Sequence, residues 1–230
     1  MLNASAKSWF VATDGNDTDN DGSETLPFAT LAKAYAAAAD TGDEIVVKPG
    51  TYVMSAELTV KKGVTIRSST GVAEDVKIDG NKARRPIVLN HTEAKLLNVC
   101  VQNGYIGSPS YEPGATVKID TAGGVLEGCV IRGGNHNAYT TRGNGGGGGV
   151  ACLSDAGRIV NCVITNNSIN VNDYTQGGGL YMTKGKAINC FIGYNRSENC
   201  IYTPREAVSC TLKDNYYLAA NLDDGECYTA

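Results

Sequence analysis

The stretch Ile159-Val160-Asn161-Cys162-Val163-Ile164 decides the fold of this chain, because near copies of it recur along the sequence. The copies read AINCFI at 187–192, AVSCTL at 207–212 and VLEGCVI at 125–131. Their cysteines, Cys129, Cys162, Cys190 and Cys210, follow one another at steps of 33, 28 and 20 residues. Short apolar strands that recur at this length, with Asn or Gly at the turns, are typical of stacked coils that bury one shared core.

Segments of strand length, each followed by a turn signal, fill the chain from Glu44 onward. The early ones are 44–48, 58–60, 64–67, 76–78, 86–89, 96–101 and 116–119, and glycine-led and cysteine-containing strands alternate after them. The connections are too short for crossover helices, so neighbouring coils must pair strand on strand, and crossover chirality makes the winding right-handed. The sequence therefore predicts an all-β fold, a right-handed single-stranded parallel β-helix.

One helical pattern precedes these strands. Pro27 opens it, Thr25 is the expected N-cap and Gly42 the expected end. The apolar stripe at helical spacing consists of Phe28, Leu31, Ala34, Tyr35 and Ala38. Such a helix is expected to cover the open end of the first coil. We therefore expect residues 1–43 to form a first strand, an acidic loop and a capping α-helix, and residues 44–230 to form the coils.

The repeated cysteines are expected to face the core as reduced thiols. Around Cys162, period-two alternation also places Val160 and Ile164 inside, and parallel pairing stacks each thiol on the next coil. Neighbouring strands lie about 4.8 Å apart, whereas disulfide Cβ atoms lie about 3.8 Å apart, so one or two disulfides are only the alternative. Two copies deviate. Val99 takes the ladder position and turns Cys100 outward, and Glu127, which aligns with Val160, indicates a local bulge.

Composition argues against two classes of partner. The formal net charge is -4, and Lys and Arg are scattered singly, so we expect no nucleic-acid partner. No apolar run approaches the roughly 20 residues that cross a bilayer, so we expect no membrane insertion by this segment. Residues 1–5 lack the charged and hydrophobic regions of a signal peptide.

Three segments near the N-terminus resemble a known superfamily. They read FVATDGND at 10–17, PFATLAKA at 27–34 and DEIVVKPGTY at 43–52. With the glycine-led and Asn-Cys strands, they look like the pectin-lyase-like right-handed parallel β-helix superfamily and are similar to repeats of bacterial adhesins. The resemblance implies the fold, and a bacterial protein that is secreted or displayed at the cell surface. It fixes no activity, because that superfamily contains lyases, hydrolases, epimerases, adhesins and plain scaffolds.

The turns that follow the cysteine strands are expected to stack into one lateral face. They are rich in tyrosine, whose ring offers an apolar face with a polar rim and suits both sugars and protein interfaces. The candidate ligand-binding residues are Tyr105, Tyr111, His136, Tyr139, Arg142, Asp173 and Tyr174. A glycan or protein partner is expected here. The alternative is a set of solvated loops whose tyrosines pack on the coil edges.

Catalysis on the same face would need a base and a cation. A polysaccharide lyase takes a proton beside a uronate carboxylate and stabilises the charge that results. His136 or Tyr139 is the candidate base and Arg142 the candidate cation. The five consecutive glycines at 145–149 argue against rigid placement of these groups. The sequence therefore favours a binding role over an enzymatic one.

The acidic stretch at 17–22 resembles the first half of a calcium loop. Carboxylates at alternate positions, followed by a glycine, are typical of such loops. The twelfth position is Phe28, which excludes an EF-hand. A simpler structural calcium site would use Asp17, Asp19, Asp21 and Glu24, and a solvated acidic loop is the alternative. No other cofactor is expected.

The last residues repeat the start of a coil. GECYTA at 225–230 is similar to ENCIYT at 198–203. We therefore expect an uncapped C-terminal end, with the solenoid either continuing or stacking end to end on another molecule. Taken together, the sequence predicts an extracellular or cell-surface β-helix domain that displays stacked turns to glycans or proteins. A polysaccharide lyase or glycoside hydrolase, and a purely structural spacer, are the alternatives.

Overall fold

The computed structural model describes residues 6–108, 110, 112–137, 146–169, 176–197, 199–202, 207–208, 210–213 and 216–217. In these residues, four parallel sheets of eight, seven, five and six strands run along one stack of coils. We number the sheets 1 to 4 in the order in which the chain passes through them within a coil. Each strand pairs in parallel with its counterparts in the neighbouring coils, so the predicted parallel β-helix is confirmed.

The strands are numbered in chain order. Sheet 1 contains β1 Ser8–Val11, β2 Thr41–Val47, β5 Gly63–Ser68, β8 Lys95–Leu97, β12 Val125–Glu127, β16 Arg158–Val160, β20 Lys186–Ile188 and β24 Ala207–Val208. Sheet 2 contains β3 Gly50–Val53, β6 Val76–Asp79, β9 Cys100–Gln102, β13 Val130–Arg132, β17 Val163–Thr165, β21 Phe191–Gly193 and β25 Thr211–Lys213. Sheet 3 contains β10 Tyr105–Gly107, β14 Asn135–Asn137, β18 Ser168–Ile169, β22 Arg196–Ser197 and β26 Tyr216–Tyr217. Sheet 4 contains β4 Leu58–Val60, β7 Ile87–Leu89, β11 Val117–Ile119, β15 Val150–Cys152, β19 Gln176–Met182 and β23 Asn199–Tyr202.

The core consists of inward columns to which each coil adds one side chain. The column of sheet 1 is Ile45, Ile66, Leu96, Leu126, Ile159 and Ala187, all fully buried. The corresponding column of sheet 2 consists of Ile78, Val101, Ile131, Ile164 and Ile192. These columns belong to one hydrophobic cluster. A single coil could not bury these side chains alone, because each strand contributes only one residue to a column and needs the coils above and below to cover it.

The corner between sheets 1 and 2 interrupts the alternation of inward and outward residues. Asn161 has a φ of 54°, a left-handed conformation that asparagine tolerates better than most residues. The prediction that Val160 faces the core was wrong: it is half-buried on the outer face, one residue before the corner. Glu127 pairs with Val160 and is exposed. The predicted bulge was also wrong, because Glu127 belongs to a regular outward column.

The cysteine ladder lies directly after this corner. Cys129, Cys162 and Cys190 are 1%, 1% and 2% exposed, and Cys210 is half-buried, so the predicted inward stack is confirmed. The cysteines outside any disulfide are Cys100, Cys129, Cys152, Cys162, Cys190 and Cys210. As predicted, Val99 takes the ladder position and Cys100 pairs in an outward column. Cys100 is nevertheless fully buried, because the short 3-10 helix Ala73–Asp75 lies against β9.

The N-terminal helix, α1, spans Leu31–Ala37 and is shorter than predicted. Its N-cap is Thr30 rather than Thr25, since the Thr30 hydroxyl accepts a hydrogen bond from the backbone N–H of Lys33 at 3.1 Å. Phe28 lies before the helix and forms a parallel bridge with Val11. The buried face of α1 joins the core of the first coils. That packing fits the expected capping role.

Asp43 fastens three parts of the N-terminal region together. Its carboxylate accepts hydrogen bonds from the backbone N–H groups of Lys7 and Ala39 and from the indole of Trp9, each at 2.9 Å. Burial alone would raise the pKa of the Asp43 carboxyl, but these hydrogen bonds hold that pKa below its ordinary value. Strand β1, the end of α1 and strand β2 thus share one anchor.

The helical content is small. Among the described helices, none is long and apolar enough to cross a membrane.

Candidate functional site

A second corner positions sheet 3. Asn166 has a φ of 54° there, and the next residue, Asn167, points inward and is 1% exposed. The Asn167 side-chain oxygen accepts from the backbone N–H of Gly134 in the coil before at 2.9 Å, and its amide donates to the carbonyl oxygen of Ile131 at 3.1 Å. Asn195, fully buried in the next coil, repeats the pattern. This ladder fixes where each coil leaves sheet 2 and enters sheet 3.

Sheet 3 forms the first part of the predicted lateral turns, which are therefore regular strands at their start. Its inward residues are Ile106, His136 and Ile169, in register with one another. Because side chains alternate along a strand, the preceding residues point outward. That outward column, one residue per coil, consists of Tyr105, Asn135, Ser168 and Arg196.

The ring of Tyr105 lies flat along its own strand. A Cβ atom added at Gly107 would stand 2.9 Å from ring atom Cε1 and 3.1 Å from the hydroxyl oxygen, so the absence of a side chain there makes room for the ring. The amide of Asn137 approaches the same hydroxyl at 3.5 Å. Tyr105 is half-buried, and Asn137 is exposed. We call Tyr105, Gly107, Asn135, Asn137, Ser168 and Arg196 the sheet 3 face.

His136 points to the opposite side of sheet 3. It is 0% exposed, and its Nε2 lies 3.0 Å from the carbonyl oxygen of Glu112. Its Nδ1 is buried and has no hydrogen-bond partner within the described residues. Burial lowers the pKa of His136, and the nearby Arg85 lowers it further, which outweighs the hydrogen bond to Glu112. An imidazole in this position is out of reach of a ligand on the sheet 3 face.

A charged cluster that the sequence analysis missed lies between sheets 3 and 4. Lys118, on β11, points outward, but its side chain is only 10% exposed, and its Nζ meets Glu112 at 2.6 Å and Asp120 at 3.3 Å. Arg85, 6% exposed, donates to the carbonyl oxygens of Pro113 and Gly114 at 2.8 and 3.2 Å. The signal in the sequence was a lysine inside an otherwise apolar strand, because a buried lysine requires a carboxylate nearby.

Most of the predicted ligand-binding residues fall outside the part of the chain that the structure describes. Tyr111, Tyr139, Arg142, Asp173 and Tyr174 lie outside the described residues. Of the predicted ligand-binding residues, only Tyr105 and His136 are described, and they occupy opposite faces of sheet 3. The predicted roles of all seven stay predictions.

The acidic loop uses much of its oxygen capacity internally. The Asp17 carboxylate accepts from the backbone of Ala29 at 2.7 Å and from the hydroxyl of Thr30 at 2.6 Å, and Asp21 accepts from the backbone of Ser23 at 2.9 Å. Within the part of the chain that the structure describes, no group of three or more His, Cys, Asp or Glu residues could hold a metal ion. A calcium site at Asp17, Asp19, Asp21 and Glu24 stays a prediction.

Comparison of the coordinates with solved structures identifies the architecture. Pectate lyase Pel9A superposes with a TM-score of 0.51 over 84% of this chain and 55% of its own length, at 16% identity. The fold is the pectin-lyase-like right-handed parallel β-helix. Two further structures with this pectin-lyase-like fold are similar: the pectin methylesterase from Aspergillus niger (TM-score 0.47, 14% identity, 99% of this chain and 91% of the other) and a rhamnogalacturonan lyase (TM-score 0.45, 16% identity, 94% and 63%).

Sequence comparison adds nothing to this pectin-lyase-like assignment, since no family profile and no curated protein matches the chain. At these identities the likeness establishes the fold alone. The chain spans about half the length of the pectate lyase that it matches.

Proposed function

We propose that this chain is an extracellular glycan-binding domain and that its ligand lies across the coils on the sheet 3 face. The observation that carries the proposal is the flat, half-exposed ring of Tyr105, set over Gly107 and beside the exposed amide of Asn137. An aromatic ring offers a stacking surface for the apolar face of a sugar. An amide beside it can both donate to and accept from sugar hydroxyl groups.

The regular spacing of the sheet 3 face supports a polymeric ligand. Asn135, Ser168 and Arg196 continue the column from Tyr105, one residue per coil, at the strand spacing of about 4.8 Å. The amide, hydroxyl and guanidinium groups can each donate a hydrogen bond at this constant interval, while the side-chain oxygen of Asn135 is buried. A linear polysaccharide could contact several of them at once, whereas a single sugar could not.

A pectic polysaccharide is the first ligand to test. The fold shared with a pectate lyase motivates this choice, and the guanidinium of Arg196, exposed on the sheet 3 face, suits a carboxylated sugar. Location outside the cell follows from that ligand class, because pectic polysaccharides are extracellular. A protein partner on the same face is the other binding prediction.

The test measures binding to polygalacturonate fragments and to neutral oligosaccharides by calorimetry. We expect Tyr105→Ala to weaken binding about tenfold, because one aromatic contact contributes somewhat over 1 kcal/mol to the binding free energy. Gly107→Ala should also weaken it, because the new Cβ displaces the ring, while the thermal midpoint changes little. Lys95→Ala, at an exposed position on sheet 1, is the matched control and should bind like the unmodified chain.

The same samples separate the alternatives. A polysaccharide lyase would produce a rising absorbance from unsaturated uronate products, with His136 or Tyr139 as the predicted base and Arg142 as the predicted cation. A glycoside hydrolase would release reducing ends instead. A structural spacer would show neither binding nor turnover. If neither Tyr105→Ala nor Gly107→Ala changes the affinity, the ligand does not bind on the sheet 3 face.

A further inference from the structure

Residues 112–116 connect the end of sheet 3 to β11 and are held by side chains from three different elements. His136, from β14, meets the carbonyl oxygen of Glu112. Arg85, from the segment before β7, donates to the carbonyl oxygens of Pro113 and Gly114. Lys118, from β11, meets the Glu112 carboxylate. All three are buried groups that carry or can acquire positive charge.

The surroundings of His136 suit only the neutral imidazole. A carbonyl oxygen can only accept, so Nε2 must carry the proton in the contact with Glu112, and Nδ1 is then an unprotonated acceptor. Above and below the ring in the inward column lie Ile106 and Ile169, which offer no polar group. A second proton on Nδ1 would be buried without an acceptor among the described residues.

Among the residues that the structure describes, no nearby carboxylate is left to neutralise an imidazolium. Arg85 already pairs with Glu57, its Nε lying 2.8 Å from the carboxylate. Glu112 and Asp120 both meet Lys118. Each of these three carboxylates therefore has a cation as partner, and the positive charge of Arg85 opposes a further one on His136.

We infer that His136 is a pH-sensitive latch that holds residues 112–116 against the coils when neutral and releases them when protonated. An imidazolium could still donate from Nε2 to the Glu112 carbonyl oxygen, so the release comes from the cost of burying its charge. The segment bonded to the ring is the part that we infer opens to admit water. The backbone N–H groups of Gly114 and Ala115 donate to the carbonyl oxygens of Gly146 and Gly147 at 2.8 and 2.7 Å. Loss of these two hydrogen bonds would therefore show that the segment has opened. The inference does not depend on the glycan proposal.

The direction of the pH effect follows from linkage. Burial puts the folded-state pKa of His136 below the value near 6.5 of an unrestrained histidine. The closed state of residues 112–116 is therefore most stable above about pH 6.5. It loses stability as the pH falls from there through the folded-state pKa of His136. One proton can change the opening equilibrium by at most about tenfold per pH unit.

The experiment is hydrogen exchange of the Gly114 and Ala115 amides between pH 5 and 8, with each rate divided by the intrinsic exchange rate at that pH. In the unmodified chain we expect the opening constant to rise towards tenfold per pH unit below about 6.5. His136→Gln keeps a donor for the Glu112 carbonyl but does not titrate, so its opening constant should not change with pH. The chain has 2 histidines, and His91→Gln is the matched control, which should behave like the unmodified chain.

A second measurement keeps the inference testable if His136→Gln fails to fold. Nuclear magnetic resonance titration of His136 in the unmodified chain should give a pKa below the ordinary value near 6.5. A His136 pKa at or above 6.5, or opening constants that do not depend on pH, would overturn the latch. So would a pH dependence that survives in folded His136→Gln.

Discussion

At the scale of single residues, asparagine has two different structural roles at the corners of the coil. Asn161 and Asn166 take left-handed φ values of 54°, where a short polar side chain lowers the strain. Asn167 and Asn195 instead turn inward and hydrogen-bond backbone groups of the preceding coil. An unpaired backbone group in the core would cost free energy comparable to a lost hydrogen bond, so the inward asparagines are structural.

Replacing the inward asparagine should therefore cost far more than replacing its outward neighbour. We expect Asn167→Ala to lower the free energy of unfolding by about 3 kcal/mol, because the Gly134 N–H and the Ile131 carbonyl lose a buried partner. Asn166→Gly is the matched control, since glycine accepts the same φ and Asn166 is exposed. Urea unfolding of both variants measures the difference, and equal midpoints would contradict the structural role.

At the scale of the elements, the sequence predicted what is local and repeated. The strands at 58–60 and 76–79, and the inward Cys129, Cys162 and Cys190, follow from a period that each coil repeats. Period-two reasoning failed at Val160, because a left-handed residue at the corner resets the direction of the side chains. Lys118 inside an apolar strand was a local signal of this cluster, but the contribution of Arg85 could not be predicted, because Arg85 is 28 residues or more from its carbonyl partners and only the tertiary winding brings them together.

Close contact between one coil edge and the next segment depends on glycine. A Cβ at Gly104 would stand 2.1 Å from the carbonyl oxygen of Ala115 and 2.5 Å from the Cα of Thr116, both backbone atoms that cannot move aside cheaply. We expect Gly104→Ala to destabilise the fold by about 3 kcal/mol. Gly71→Ala, at a φ of 76° with no atom within 4 Å, should cost only about 1 kcal/mol for its backbone strain. Thermal unfolding of the pair would contradict the prediction if Gly71→Ala were the less stable.

At the scale of the whole molecule, the stacked columns make the coils depend on one another. Cys129, Cys162 and Cys190 come from three successive coils, and each is packed in the same hydrophobic cluster. Cys152 lies in that cluster too, and burial raises the pKa of its thiol to about 11. A buried thiol is out of reach of alkylating reagents whatever its pKa, and a protonated thiol also reacts slowly because these reagents attack the thiolate. Reactivity of these cysteines therefore reports exposure of the core.

Alkylation by iodoacetamide, read by mass spectrometry at increasing urea, tests this interdependence. Without urea we expect Cys129, Cys152, Cys162 and Cys190 to stay unmodified and the half-buried Cys210 to react before these four. If the coils share one core, the three ladder cysteines should become reactive at a single urea midpoint, because no coil hides its apolar surface alone. Separate midpoints would show that the coils unfold independently. A peptide pair that is joined and lighter by two hydrogen atoms would show a disulfide and contradict the free-thiol ladder.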